Sequence, residues 1–124
     1  MMKVDEIMTR EVCSVRPSEP ASHALEYLRS MHVSGAPVLD LENRPIGVVA
    51  WNDLVDAPPG ALVVDCMSVP PVMVSEGDHV REAARRIAAT GHHRLVVVGP
   101  SGLVVGVVSA LDVVRALVTM PALP

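Results

Sequence analysis

The sequence predicts an α/β chain of the α+β kind, built from two tandem β-α-β-β-α repeats that pack with pseudo-twofold symmetry. Three observations lead there. The chain repeats itself at an offset of fifty-nine residues, pairing Gly47-Val48-Val49 with Gly106-Val107-Val108, Asp53 with Asp112, Met8 with Met67 and Val38 with Val97 without a gap. Each copy runs from a helix-period segment into two β-branched runs joined by turn residues. The chain has only 124 residues, of which 50% are hydrophobic and 2% aromatic, so one small core of Val, Ala, Leu and Met must serve both copies. The copies are residues 1–60 and 61–124, together one module, since a unit of about sixty residues buries too little surface alone.

The elements follow in order. Short strands are expected at Cys13 to Val15 and at Val72 to Val74. After Ser18-Glu19-Pro20, the residues Ala21, Ala24, Leu25, Leu28 and Met31 recur at helical spacing, and Val80, Ala83, Ala84, Ile87 and Ala88 do so after Gly77-Asp78. The hairpins follow: Ala36 to Leu39 and Pro45 to Val49 around the Asp40 to Arg44 turn, then Leu95 to Val98 and Leu103 to Val108 around Gly99-Pro100-Ser101-Gly102. A last helix covers Asn52 to Asp56 in the first copy, before Pro58-Pro59-Gly60, and Ala110 to Thr119 in the second.

Composition removes several functional classes. Net charge is −4 and no basic run occurs, which excludes a nucleic-acid groove or an anionic membrane surface as the main target. The apolar run from Leu95 to Leu111 is broken by its turn, and Met1 to Glu6 lacks the apolar core of a signal peptide, so a cytoplasmic location is expected. Cys13 and Cys66 have no CxxC partner and no His at metal spacing, and read as buried free thiols. No nucleophile with a His partner, carboxylate pair or phosphate-cradling glycine loop is present, so no enzymatic role, catalytic cofactor or metal is expected.

The order of elements, with Val4 to Thr9 (VDEIMT), His32 to Asp40 (HVSGAPVLD) and Pro45 to Leu54 (PIGVVAWNDL), resembles a cystathionine-β-synthase (CBS) domain. The second copy, with Val64 to Ser68 (VDCMS) and the stretch from His92 to Val118, resembles another. From His93 onward it is particularly similar to the last repeat of the AMP-activated protein kinase γ subunit. The resemblance implies a CBS pair, or Bateman module, that binds an adenosine-containing ligand in the cleft between repeats.

Ser109 and Asp112 carry that expectation. At a helix start, unpaired backbone N–H groups and the Ser hydroxyl suit a phosphate, and a carboxylate three residues on can accept both ribose hydroxyls. The same Ser-x-x-Asp pattern is also a helix cap, with Ser109 as N-cap and Asp112 favouring the dipole. The resemblance adds Ala110 and Leu111 between them and places the base near Cys13 and the loop Val33-Ser34-Gly35-Ala36-Pro37. It places His93 and Arg94 at the phosphates, which tilts the ligand toward AMP, ADP or ATP. His92 is expected to be exposed, and His32 and His79 to end helices.

In the first copy, Ala50 replaces the hydroxyl beside Asp53, leaving a weaker or empty second site next to the bulky Trp51. Val96 stands where the first copy has Pro37. The expected function is a stand-alone energy or metabolite sensor, a homodimer that regulates a partner protein not encoded here. The alternatives are a ligand-free dimerisation or docking module and a CBS pair that binds S-adenosylmethionine.

Overall fold

A computed structural model of the chain describes residues 2–119. They form two compact units, residues 12–71 and residues 2–11 together with 72–119. The first holds α1 (Ala21–Ser30), β1 (Gly35–Leu39), β2 (Pro45–Ala50), α2 (Trp51–Val55) and α3 (Val63–Cys66). The second holds a 3-10 turn (Val4–Glu6), β3 (Met73–Ser75), α4 (Val80–Thr90), β4 (Arg94–Val98), β5 (Val104–Ser109) and α5 (Ala110–Thr119). The fold is mixed α/β with two small sheets, as the sequence predicts.

Helix α1 follows Pro20, whose fixed φ suits a helix entry, and buries Ala21, Ala24 and Leu28 on one stripe. Leu25 is half-buried, and Met31, which caps the C-terminus, is exposed. Helix α4 buries Val80 and Ala83 with Ala84 and Ile87 half-buried, while Ala88 has rotated off the stripe and is exposed. His79 is its N-cap, with Nδ1 accepting the Arg81 N–H at 3.0 Å, and Gly91 ends it at φ 74°. His32 occupies the matching place after α1 at φ 56°, a left-handed conformation that costs a non-glycine residue more. Both histidines are helix-end residues, as expected.

The hairpins β1–β2 and β4–β5 are antiparallel and share a bulge at the same place, between Val38 and Leu39 and between Val97 and Val98. Their inward residues build two cores, one around Val15, Leu28, Val38 and Val49 and one around Val74, Leu95, Val97 and Val108. Strand β3 runs parallel to β4.

The strand expected at Cys13 to Val15 is reduced to one bridge, Val15 to Val38. Proline explains the difference. In the second unit Val96 donates its N–H to the Val72 carbonyl at 3.0 Å. Pro37 stands at the matching position of β1 and has no N–H, so the equivalent bond to Cys13 cannot form. Val15 keeps its bonds to the Pro37 carbonyl (3.1 Å) and from Leu39 (3.0 Å). Helix α2 begins one residue earlier than expected and is half the length of α5, because Pro58 disfavours helical backbone at Ala57.

The opening segments of the two sequence copies are exchanged. Residues 2–11 pack on the second copy: Thr9 and Val107 bond each other through both backbone pairs (2.9 and 3.0 Å), and Val4 and Met8 enter that core. Correspondingly, Ser68 and Val48 bond each other (2.8 and 3.1 Å), and Val63 enters the core of the first copy. Glycine makes both contacts possible. A Cβ on Gly106 would lie 2.6 Å from Met8 Sδ and 2.9 Å from the Thr9 carbonyl oxygen, and one on Gly47 would lie 2.8 Å from Met67 Sδ and 3.0 Å from the Ser68 carbonyl oxygen.

Charge is divided unequally. The 12–71 unit has Arg16, Arg29 and Arg44 against seven carboxylates and thus carries the whole net charge of −4. The other unit is balanced. Among the described residues, no helix is long and apolar enough to cross a membrane.

Candidate functional site

Three carboxylate clamps recur in each copy at the fifty-nine-residue offset, each fixing a backbone N–H three residues before it. Glu6 takes the N–H of Lys3 (2.6 Å) and Asp65 that of Leu62 (2.9 Å). Glu19 takes that of Arg16 (3.2 Å) and Asp78 that of Ser75 (3.0 Å). Asp53 takes that of Ala50, and Asp112 that of Ser109, both at 2.9 Å. The repeat therefore preserves a local geometry as well as an apolar pattern.

Four of the other carboxylate residues return their own N–H to the backbone carbonyl of the residue they clamp, and among the described residues only Ser109 and Asp112 reciprocate through two side chains. Ser109 Oγ accepts the Asp112 N–H at 3.1 Å while Asp112 Oδ2 accepts the Ser109 N–H, which is the capping box that the Ser-x-x-Asp pattern suggests. The box does not exhaust these groups. With Oγ acting as acceptor, the Ser109 proton remains available to donate, and Asp112 Oδ1 has no partner among the described residues. Both residues are half-buried at the junction of β5 and α5, where the first N–H groups of a ten-residue helix are unpaired within the helix.

The second unit also gathers Ala110, Leu111, His93 and Arg94 at this place. Arg94 is the register partner of Ser109, and the His93 carbonyl accepts the Ala110 N–H at 2.7 Å. His93 is exposed and Arg94 half-buried, and Leu111 is exposed on the first turn of α5. His92, expected to be exposed, is half-buried. It holds the position of Val33, which is likewise half-buried and packs against the core of the 12–71 unit.

Cys13, Val33, Ser34, Gly35, Ala36, Pro37, Ala50 and Asp53 fall in the 12–71 unit. Gly35 is the register partner of Ala50, and the Ser34 carbonyl accepts the Trp51 N–H at 2.8 Å, repeating the His93 to Ala110 bond. Ala36 and Pro37 are buried. Trp51 turns toward α1, where the Arg29 guanidinium lies 5.5 Å from its ring centroid.

Both thiols are free and half-buried rather than fully buried. Burial pushes the Cys66 thiol up, with the charges of Asp65 and Asp53 adding to it, so it is a neutral thiol at pH 7. The Tyr27 hydroxyl is also raised, first by burial and then by its hydrogen bond with Cys13. Among the described residues, no group of three His, Cys, Asp or Glu could hold a metal ion.

One charged residue escaped the sequence reading. Arg115 lies on α5 three residues after Asp112, where side chains share a helix face, and the first copy has Asp56 at the same position. Aligning the copies by charge as well as by apolar pattern would have found it.

The family model for the CBS domain matches twice, over residues 4–60 and 63–119. The chain is 26% identical over 121 residues to an uncharacterized protein of Methanopyrus kandleri, covering 92% of this chain and 62% of that protein. The structure is similar to that of CBSX2, a CBS-pair protein of Arabidopsis thaliana, in complex with AMP: the TM-score is 0.85 at 30% identity, over 95% of this chain and 97% of that one. It is also similar to the cytosolic domain of the Mg2+ channel MgtE in complex with ATP, with a TM-score of 0.85 at 28% identity over 92% of this chain and 48% of that one. Two matches in tandem, spanning both repeats and the β5–α5 junction, place this protein in the CBS-domain family as a CBS pair.

Proposed function

We propose that the chain is a regulatory module that binds AMP, ADP or ATP through its second copy and reports the nucleotide to a partner protein. The observation that carries this reading is the Ser109–Asp112 box, which fixes both side chains by hydrogen bonds yet leaves a hydroxyl proton and a carboxylate oxygen without a partner among the described residues. The hydroxyl proton and the Leu111 N–H, which neither the His93 carbonyl nor the box takes up, suit phosphate oxygens, and Asp112 suits the ribose hydroxyls. Arg94 and Arg115 bring guanidinium groups and His93 an imidazole to this end of the unit, where the first copy has Gly35, Asp56 and Ser34. The complexes of CBSX2 with AMP and of the MgtE domain with ATP support the same ligand class.

In this reading one nucleotide binds per chain, the Ala50/Asp53 position being the weaker one. The role is that of a sensor rather than an enzyme, in the cytoplasm. A ligand shifts such a module only by its differential affinity for two states. Titration calorimetry with AMP, ATP and S-adenosylmethionine, on the wild type and Asp112→Ala, tests the proposal. Nucleotide binding that the substitution removes is the expected result, and binding of S-adenosylmethionine alone would overturn the nucleotide assignment.

A second reading is favoured by α5, where Leu111, Val114, Leu117 and Val118 are all exposed, Val118 at 78%. Apolar side chains at this spacing suit a homodimer contact. Sedimentation of the nucleotide-free protein as a monomer would remove that reading.

A further inference from the structure

We infer that the segment Met8–Thr9 is a positioning element for the Ser109–Asp112 site, so that nucleotide binding and docking of the N-terminal segment are coupled. The inference deepens the nucleotide reading and rests on it for the ligand. All the groups involved lie in one compact unit. Thr9 clasps Val107 through both backbone bonds, at 2.9 and 3.0 Å. Met8 is 9% exposed, with Sδ in the space that a Gly106 side chain would take. Val107 is two residues before Ser109 on β5, and the Ser109 N–H is the donor that fixes Asp112.

Strand β5 is held on its other side by β4, whose Arg94 is in register with Ser109. The segment is therefore the second of two walls that fix where β5 delivers the serine. A strand with its edge unpaired gains freedom of twist and position, and a site that must place a hydroxyl and a carboxylate on one ligand tolerates displacements of only about 0.5 Å. The segment then runs on through Glu11 into Val12, the first residue of the other compact unit. Occupancy of the site and seating of the segment must favour each other by the same factor, since coupling between two equilibria is reciprocal.

Gly106→Ala tests this, because its Cβ would displace Met8 and Thr9 without altering a site residue. Gly47→Ala is the matched control, since it makes the same collision with Met67 and Ser68 in the other unit. AMP affinity should fall about tenfold or more in Gly106→Ala, equivalent to about 1.4 kcal/mol, and less than about threefold in Gly47→Ala. A loss due only to instability would follow the melting temperature and appear in both variants. If Gly106→Ala does not fold, Met8→Ala, which unseats the segment without a collision, replaces it with the same expectation.

Amide hydrogen exchange supplies the reciprocal measurement. AMP should slow exchange at the Thr9 and Val107 amides of the wild type, and unchanged rates there, or equal affinity losses in the two glycine variants, would overturn the coupling. If the wild type binds no AMP, it is the nucleotide reading that fails. Positioning is then decided by the Asp112 amide, which should exchange faster in Gly106→Ala than in Gly47→Ala, and equal rates would overturn it.

Discussion

The β2–α2 junction of the first copy and the β5–α5 junction of the second are the same construction with different residues at the points of contact. Both clamp a backbone N–H with a carboxylate at 2.9 Å, and both receive a carbonyl bond from the loop before the hairpin. They diverge in the hydroxyl, present at Ser109 and absent at Ala50, and in charge, with Arg94 and Arg115 aligned in sequence with Gly35 and Asp56. The carboxylate clamp thus belongs to the fold, since it survives where the hydroxyl is lost. What distinguishes the proposed ligand position from a plain cap is the set of groups the cap leaves over.

Five substitutions break or sharpen that contrast. The largest effect is expected from Asp112→Ala, which removes the acceptor proposed for the ribose. Charge-assisted hydrogen bonds contribute about 1.5–3 kcal/mol each, so AMP affinity by calorimetry should fall by about ten- to a thousandfold, while Asp53→Ala should leave it within about twofold. An equal loss in both variants would mean that the copies share the work.

Ser109→Ala makes the second junction resemble the first. Loss of a serine cap costs about 1 kcal/mol, so the denaturant midpoint should fall, and AMP affinity should fall about tenfold with it. The converse, Ala50→Ser, supplies the Asp53 N–H with an acceptor and should stabilise the chain by up to about 1 kcal/mol, read from the same denaturant curves. It should leave the stoichiometry at one nucleotide, because Asp56 remains where the second copy has Arg115.

The smallest effect is expected from Pro37→Val, which returns an N–H to β1. One regained backbone bond is worth about 0.5–1.5 kcal/mol. Slowed exchange of the amide that the substitution introduces would show that the bond to Cys13 has formed, and fast exchange would show that proline is not what shortens the strand.

Much of this was legible in the sequence because the chain states it twice. The helices, both hairpins and the last helix follow from apolar spacing and turn residues, and repetition turned each weak signal into two. The short helix Val63–Cys66 was missed, because four residues are too few for a period to show, although Asp65 three places after Leu62 marked its start. The strand at Cys13 was over-read because its partner bond depends on Pro37, twenty-four positions away. Ser109 and Asp112 stood out as a pattern, but the reciprocity of their bonds and the spare acceptor on Asp112 are matters of geometry. Arg115 was overlooked because a single arginine on a helix is ordinary until its counterpart is seen to be an aspartate.

The exchange of opening segments has a consequence for ancestry. Neither compact unit is made from one copy: Val4 and Met8 complete the core of the second, and Val63 completes that of the first. A primordial gene encoding a single copy could have filled those places only by lending its own segment to a sister chain and borrowing the sister's in return. Joining the copies in tandem puts lender and borrower on one chain, so that each segment meets the core it completes as an intramolecular event.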